Sequence, residues 1–301
     1  MLELTVYGIV FGSIISIGAI GLSLVFGIIR FANFAHGDLM STGAYIALFM
    51  VTWALAWIPD TTFGQLSFGW RMLIAFPVAM FVVAFVAVAL DRILYQRLRR
   101  KGSGPVIMAM SSLGAAFIVR MLILIFWGAD SLFYRPGILR PALQLPLGVK
   151  IRPDQILILI VVFSLVALLH LFLQKTKLGK AMRATADNME LALVSGIDTE
   201  RVIMMTWGIG GALAAAGGIL YGVDVQLHPY MGWNFLIPLF AATILGTIGN
   251  IYGALVGGLV IGVAQQVSTA FMMPTYKPAV AFILMILILL FRPKGIFGGK
   301  E

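Results

Sequence analysis

Long apolar runs, separated by short polar segments, follow one another along almost the whole chain. Each is close to the roughly 20 residues that an α-helix needs to cross the hydrocarbon core of a bilayer. Phe235–Ile248 and Ala279–Phe291 are clearly shorter. The other runs are Val6–Ile28, Leu39–Ile58, Arg71–Leu90, Pro105–Gly128, Gln155–Leu173, Val202–Val223 and Ile251–Phe271. The pattern predicts an all-α polytopic membrane protein with eight to nine transmembrane spans in a single domain, residues 1–301.

A polar window, Gly27–Ala44, interrupts this pattern between the first two runs. It places Arg30, Asn33, His36 and Asp38 among glycines. Unsatisfied polar groups are costly in hydrocarbon, and polar residues at membrane depth usually face protein or a water-filled path. The window is therefore either a cytoplasmic turn or a broken helical segment that lines a passage.

A second glycine-rich segment, Leu245–Gly258, resembles this window. Each has an apolar run, then a glycine with a lone asparagine, then a Gly-Ala pair. The matching residues are Gly27, Asn33 and Gly43-Ala44 in the first segment, and Gly246, Asn250 and Gly253-Ala254 in the second. Internal repeats with glycine-interrupted helices often bracket the substrate path of a transporter. We therefore expect broken, glycine-rich helices and an internal repeat.

Composition and charge agree with a membrane protein and suggest its orientation. The chain is 61% hydrophobic, 11% charged and free of cysteine, with a net charge of +9. Such an excess usually resides in cytoplasmic loops, so it does not indicate nucleic acid as a partner. Most basic residues fall on one side if 174–201 is cytoplasmic and 129–154 is extracytoplasmic. This places the N-terminus outside and the C-terminus in the cytoplasm.

Arg120 lies unusually deep inside the fourth apolar run. A long basic side chain near a helix end can extend to the membrane surface. We expect Arg120 to do so at the outer face, with a buried ion pair as the alternative.

The cytoplasmic loop carries a helical pattern of its own. Apolar residues recur at helical spacing, with charged residues toward the opposite face and Gly196 as a stop. The apolar positions are Met182, Ala186, Met189, Leu193 and Ile197, and the charged ones are Arg183, Asp187 and Glu190. Such a helix suits a lipid surface or a groove in a protein partner. Its mixed charge favours the partner.

Catalytic signatures are absent from the sequence. It has no H-E-x-x-H, G-x-S-x-G or G-x-x-x-x-G-K-[ST] motif, so neither those enzyme classes nor nucleotide binding by a P-loop is indicated. His36 and Asp38 are two residues apart and do not face each other on a helix. An intramembrane enzyme thus remains only an alternative.

Several segments together resemble the branched-chain amino-acid permease family of bacterial ABC importers, in particular the first membrane subunit of the leucine/isoleucine/valine system. They are GIIRFANFAHGDLMSTGAYIAL, LGKAMRATADNMELALVSGID, AATILGTIGNIYGALVGGLVIG and RPKGIFG, in the family's order and spacing. One departure is Thr247 and Asn250, where family members more often have glycine and serine.

The resemblance implies an inner-membrane assembly. This chain would pair with a sister subunit or a copy of itself, with two cytoplasmic ATPases and with an extracytoplasmic solute-binding protein. ATP and Mg²⁺ would be bound by the ATPases, so no cofactor is expected in this chain. Gly179–Gly196 would be the coupling helix, which includes Met182, Arg183, Ala186, Met189 and Leu193. The binding protein would meet 129–154, and lipid the outer surface.

We expect Asn33, His36 and Asn250 to contribute to the solute path, with Gly37 and Gly246 allowing close backbone approach. The alternative is that these residues serve stability, leaving a nearly neutral path. Branched-chain or related amino acids are the expected solutes; urea, short amides or other small carboxylates are alternatives within the family. A stand-alone carrier or channel is the alternative mechanism.

Overall fold

The computed structural model of the chain describes residues 1–59, 61–135, 142–144 and 150–298. Its described part is almost entirely helical. The helices are α1 (Leu2–Ile29), α2 (Ala35–Phe49), α3 (Trp70–Leu90), α4 (Gln96–Arg100), α5 (Pro105–Trp127), α6 (Pro153–Lys175), α7 (Lys177–Asp187), α8 (Met189–Val194), α9 (Thr199–Asp224), α10 (Met231–Leu245), α11 (Ile251–Ser268) and α12 (Lys277–Phe291). Two short strands, β1 (Leu143–Gln144) and β2 (Lys150–Ile151), pair antiparallel, with Leu143 opposite Ile151.

Seven helices in the described part are long and apolar enough to cross a membrane, which confirms the all-α polytopic fold. One of them is continuous over Trp70–Arg100, because a π-helical turn at Asp91–Tyr95 joins α3 to α4. At 31 residues it is about 46 Å long, well beyond the thickness of a bilayer core. The basic segment after the third span is therefore a rigid continuation of that span.

Two helices are too short to cross a membrane by themselves. α2 and α10 each have 15 residues, or about 22 Å, and a π-helical turn at Met50–Ala54 extends α2. α2 begins beside the middle of α1, because the His36 ring meets the Gly18 carbonyl eleven residues before α1 ends. Residues 30–34 therefore fold back roughly 16 Å into the bundle. Of the two interpretations of the polar window, the structure therefore supports the broken helical segment.

The break starts and ends with specific backbone bonds. α1 ends at Arg30, which adopts the left-handed conformation (φ 57°) while its N–H donates to the Phe26 carbonyl at 2.8 Å. The Phe34 N–H donates to Ser112 Oγ of α5 at 3.0 Å. The Ala35 N–H donates to Asn33 Oδ1 at 3.1 Å. These partners satisfy backbone groups that hydrocarbon would leave unpaired.

α1 is the centre of the bundle, and small residues let its neighbours approach closely. A Cβ added to Gly262 of α11 would lie only 2.1 Å from the Gly12 Cα, so both positions need glycine. One turn along, Ser16 Oγ donates across the same interface to the Leu255 carbonyl at 2.7 Å. Small residues four apart thus form the α1–α11 contact, as their spacing predicts.

The start of α1 and the end of α12 lie on opposite faces of the bundle. At one face a Cβ on Gly8 would lie 3.3 Å from the Cβ of Gln266, and Lys277 Nζ donates to Gln266 Oε1 at 2.7 Å. At the other face the Ile296 N–H donates to the Leu245 carbonyl at 2.9 Å. This agrees with an odd number of passes, to which the broken α2 and α10 each contribute.

Part of the 129–154 loop packs on the bundle. Leu132 and Leu227 exchange backbone hydrogen bonds, and buried Tyr134 donates to the Ala44 carbonyl of α2 at 3.0 Å. Burial raises the pKa of Tyr134 well above its ordinary value, so the phenol remains a donor at neutral pH. Residues 136–141 and 145–149 of this loop lie outside the described residues.

We expect Gly262→Ala to lower the stability of the chain by about 1–3 kcal/mol, because the added methyl group would force α1 and α11 apart. Thermal unfolding of the purified chain in detergent measures this. Gly208→Ala in α9 is the matched control, since its Cβ would meet only Val88 Cγ2 at an ordinary 3.7 Å. Equal melting temperatures for the two variants would contradict the packing role.

Candidate functional site

The helix break buries the polar residues that the sequence predicts for the solute path. Asn33 and His36 are buried, and Gly37 follows in the first turn of α2. His36 Nε2 lies 2.9 Å from the Gly18 carbonyl, which can only accept, so Nε2 carries the proton. Asn33 Oδ1 accepts from the Ala35 N–H and, at 3.5 Å, from the Tyr95 hydroxyl.

Two polar atoms at this break are left over. Among the described residues, neither Asn33 Nδ2 nor His36 Nδ1 has a hydrogen-bond partner. One is a donor and the other, given the proton on Nε2, is an acceptor. Buried groups of this kind are rare and usually signal a functional role or an ordered water.

The same turn of α2 holds an ion pair. Arg120 Nε and Nη2 of α5 donate to Asp38 Oδ1 and Oδ2, both at 2.9 Å, and both side chains are buried. The expectation that Arg120 reaches the outer surface is therefore wrong. α5 runs beside α2, with Ser112 next to Phe34, so that Arg120 two turns later comes level with Asp38.

Aromatic rings enclose the guanidinium on its other sides. The Arg120 Cζ lies 4.7 Å from the ring centre of Trp233, 5.4 Å from that of Phe117 and 5.7 Å from that of Tyr230. Such cation–π contacts strengthen when the cation is removed from water. α5 and the start of α10 thus close over the ion pair together.

α2 and α10 begin at the same point. A Cβ on Gly37 would lie 2.2 Å from the Gly232 carbonyl oxygen, and one on Gly232 would lie 2.1 Å from that of Gly37. The Gly232 N–H donates to Ser41 Oγ at 2.9 Å. The N-terminal ends of two broken helices, where backbone N–H groups carry partial positive charge, therefore meet inside the protein. Asp38 lies in the first turn of one of them.

The other two predicted path residues lie in the turn from α10 to α11. Asn250 Oδ1 accepts the Gly253 N–H at 3.0 Å and so caps α11. Gly246 lies against Gly253, where a Cβ would be 2.0 Å from the backbone. His36 contacts α1 at Gly18, whereas this turn contacts α1 nearer its end, with the Gly249 N–H donating to Ser23 Oγ. Gly246 and Asn250 thus form a second group, separate from Asn33 and His36.

A cavity of about 300 Å³ lies between this turn, the end of α6 and α7. Its polar lining residues are Asn250, Gln174 and Arg183, and Arg183 Nη1 donates to Gln174 Oε1 at 2.8 Å. Its other lining residues are Leu24, Gly27, Ile28, Leu173, Met182, Ala186, Gly249, Ile251 and Tyr252. Three of the residues predicted to couple the chain to an ATPase therefore face the α10–α11 turn.

The loop forms two helices where the sequence pattern predicts one. Asn188 ends α7 and caps α8, with its Oδ1 accepting the Leu191 N–H at 2.9 Å. Because of this bend, Leu193 is 60% exposed and the small Ala192 is buried in its place. The predicted continuous apolar face is therefore wrong at Leu193, whereas Ile197 beyond it packs against the main core as predicted. Gly196 does end the segment, with φ +83°.

The first part of the face is as the pattern predicts. Met182 is buried, and Ala186 and Met189 pack against the main core. Gly179 is buried against α6, where a Cβ would lie 2.5 Å from the Leu173 Cα. α7 is thereby fixed closely to the end of a membrane-crossing helix.

Comparison with known proteins identifies the family of this chain. The family described as branched-chain amino acid transport system / permease component matches residues 4–289. The chain belongs to this permease family. It is 34% identical to the permease protein LivH of the high-affinity branched-chain amino acid transport system of Escherichia coli (strain K12), over 98% of this chain and 94% of that protein. It is 35% identical to BraD of Pseudomonas aeruginosa, over 100% and 96%.

The fold also resembles a solved structure. PsaBC from Streptococcus pneumoniae in complex with Fab matches with a TM-score of 0.50 at 12% identity, over 98% of this chain and 93% of that one. At this identity the likeness concerns the fold alone.

Sequence reasoning missed several residues of the site in this permease. Ser112, Trp233 and Tyr95 carry no signal in a single sequence, since a lone serine or aromatic residue in an apolar run is ordinary. Arg120 did carry one, because a charge at that depth is rare and calls for a partner. Asp38, the nearest acidic residue to the polar window's centre, could have been named as that partner.

We expect Asp38→Leu to destabilise the chain by about 3–5 kcal/mol, because it leaves a buried guanidinium unpaired. The double variant Asp38→Leu with Arg120→Met should regain most of this loss, since apolar side chains of similar volume often replace a buried pair at little cost. Unfolding in detergent, followed by temperature or denaturant, measures both. A double variant as unstable as the single one would contradict the pairing.

Proposed function

We propose that this chain is the membrane-spanning permease subunit of a bacterial ABC importer and forms the path for branched-chain or related amino acids. The observation that carries this proposal is the family match over residues 4–289, joined to a helix break that buries polar groups at membrane depth. ATP and Mg²⁺ would be bound by partner ATPases, and this chain would perform no catalysis itself.

The solute path is proposed to run along the helix break. Asn33 and His36 offer an unpaired donor and an unpaired acceptor, and Gly37 lets the backbones of α2 and α10 touch. Gly246 and Asn250 would act nearer the α7 side, where Asn250 lines the cavity. Capping of α11 is an alternative role for Asn250, and its test must separate the two.

Coupling to the ATPases is proposed for Gly179–Gly196. α8 exposes Leu191, Leu193 and Val194, which are 61%, 60% and 81% exposed. An apolar patch of this kind outside the membrane-crossing helices suits a protein partner. α7 would transmit the movement, because Met182, Arg183 and Ala186 share a cavity with the α10–α11 turn.

The chain is proposed to lie in the inner membrane with its N-terminus outside and its C-terminus in the cytoplasm. The long helix Trp70–Arg100 supports this, since its basic end follows the positive-inside rule. Residues 129–154 would then face the solute-binding protein. The second permease subunit would be a sister chain or another copy of this one. The rest of the apolar surface would meet lipid.

We expect this chain, reconstituted in proteoliposomes with its ATPases and binding protein, to take up leucine, isoleucine or valine and to show ATPase activity stimulated by them. The chain alone should transport nothing. Uptake by the chain alone would overturn the importer mechanism in favour of a carrier or channel. Stimulation by urea or a short amide only would keep the mechanism and replace the solute, as the Thr247 and Asn250 departure allows.

We expect Asn33→Leu and Asn250→Leu each to reduce uptake in this system at least severalfold, because each removes an amide from the proposed path. Unfolding measurements on the same variants identify losses due to stability, since removing a helix cap costs about 0.5–2 kcal/mol. Asn250→Ser is the matched control, because serine caps a helix as well as asparagine does. Normal uptake by both Asn33→Leu and Asn250→Leu would contradict a role of these two residues in the solute path.

A further inference from the structure

The Asp38–Arg120 pair is more than the helix break requires. Backbone partners at the break come from Asn33, Ser112 and Phe26, none of which involves the pair. A buried ion pair adds little stability over well-packed apolar side chains of the same volume. Charged residues at membrane depth commonly mark the path of a solute or an ion. The pair therefore calls for a role beyond packing.

The position of the pair makes it reachable. Asp38 and Arg120 are buried, but the rings over the guanidinium are not: Phe117 is 46%, Trp233 41% and Tyr230 39% exposed. The side chains that cover the guanidinium therefore lie at the surface of the chain. Trp233 and Tyr230 lie at the start of α10, so a shift of that broken helix would carry two of the three rings away together.

We propose that the Asp38–Arg120 pair and its three rings form the binding site for a zwitterionic α-amino acid with an apolar side chain. The solute carboxylate would take the place of Asp38 on Arg120, and its ammonium group would bind Asp38. The rings of Phe117, Tyr230 and Trp233 would contact the solute's apolar side chain. This inference rests on the proposed function and names the site within it.

Charge balance explains why a zwitterion fits. Opening a buried ion pair normally leaves two charges unpaired, which is strongly unfavourable. A zwitterion brings one charge of each sign, so both Asp38 and Arg120 keep an opposite partner when it enters. The Arg120 guanidinium now donates two N–H groups to the two oxygens of Asp38. The carboxylate of an amino acid could accept the same two N–H groups in the same bidentate geometry.

Solutes with other charges fit less well. A neutral amide or urea cannot replace either partner, and a simple cation or anion would leave one of the two side chains unpaired. A site that pairs polar groups with its substrate rejects analogues that lack them much more strongly than a purely apolar pocket does. The site thus favours amino acids over the neutral solutes of the family, independently of the binding protein's choice.

The decisive variant is the apolar pair Asp38→Leu with Arg120→Met, in the complex reconstituted with wild-type ATPases and leucine-loaded binding protein. If the pair only holds α5 to α2, this variant should import leucine normally wherever its stability matches that of wild type. If the pair binds solute, leucine uptake falls at least tenfold while the loaded binding protein still stimulates ATPase activity. Leucine uptake at the wild-type rate would overturn the proposal.

Arg120→Lys provides a second test that keeps the charge. Lysine cannot offer the two parallel N–H groups, so we expect leucine uptake per ATP hydrolysed to fall at least tenfold. Arg99→Lys is the matched control, because Arg99 also donates two N–H groups to a buried carboxylate, that of Asp91, but outside the α2–α10 junction. Equal loss in the two variants would mean a structural role and would overturn the proposal.

The absence of native cysteine permits a binding measurement that needs no ATPase. Asn234→Cys places one thiol at the exposed start of α10, beside Trp233. Millimolar leucine should slow maleimide labelling of this thiol at least threefold, whereas urea and isoamylamine should not. Ser195→Cys, directly after α8, serves as the control, and Arg120→Lys should abolish the protection. Leucine protection that persists in Arg120→Lys would overturn the proposal.

These results are separable from the proposed function. If wild-type chain imports no amino acid, the proposed function fails before any variant is compared. If wild type imports leucine and the stable apolar pair does too, the importer stands and only this site is wrong.

Discussion

Hydrocarbon contains no water to hydrate a broken helix, and this constraint determines how residues 30–34 are built. Three of the N–H groups at the start of α2 find partners inside the protein: that of Phe34 on Ser112, and those of Ala35 and His36 on Asn33. Ser112 belongs to α5, so the break depends on a helix that follows more than 70 residues later. Once α5 lies there, Arg120 comes level with Asp38 without further adjustment. One backbone requirement thus leads to the only part of the membrane interior described here where a bidentate ion pair is enclosed by three rings.

Close helix approach is the second condition for the break. A segment folded back into the bundle takes up space that side chains would otherwise fill. Gly37 and Gly232 provide that space where α2 and α10 start, and Gly12 and Gly262 provide it where α1 meets α11. The abundance of glycine therefore has a steric reason at these contacts.

The sequence predicts the helices well, and it points to Asn33 and His36 as polar residues at the break. Apolar runs of membrane-crossing length identify the spans, because length and hydropathy are local properties. The depth of α2 is not local: it depends on the His36 contact with Gly18 and on a helix far along the chain. For the same reason Arg120 was expected at the surface, since its partner lies 82 residues away. The bend at Asn188 was missed because the helical spacing of apolar residues continues across it, while the asparagine cap interrupts the backbone.

The Gly37–Gly232 contact has an electrical consequence. Where Gly37 and Gly232 touch, the two backbones approach too closely to admit a water molecule. Protons and sodium ions cross membranes along continuous water, and this contact leaves no room for water between the two glycines. A solute that passes between α2 and α10 would part this contact only for its own transit. Any side chain added at either glycine would force α2 and α10 apart and open a way for water between them.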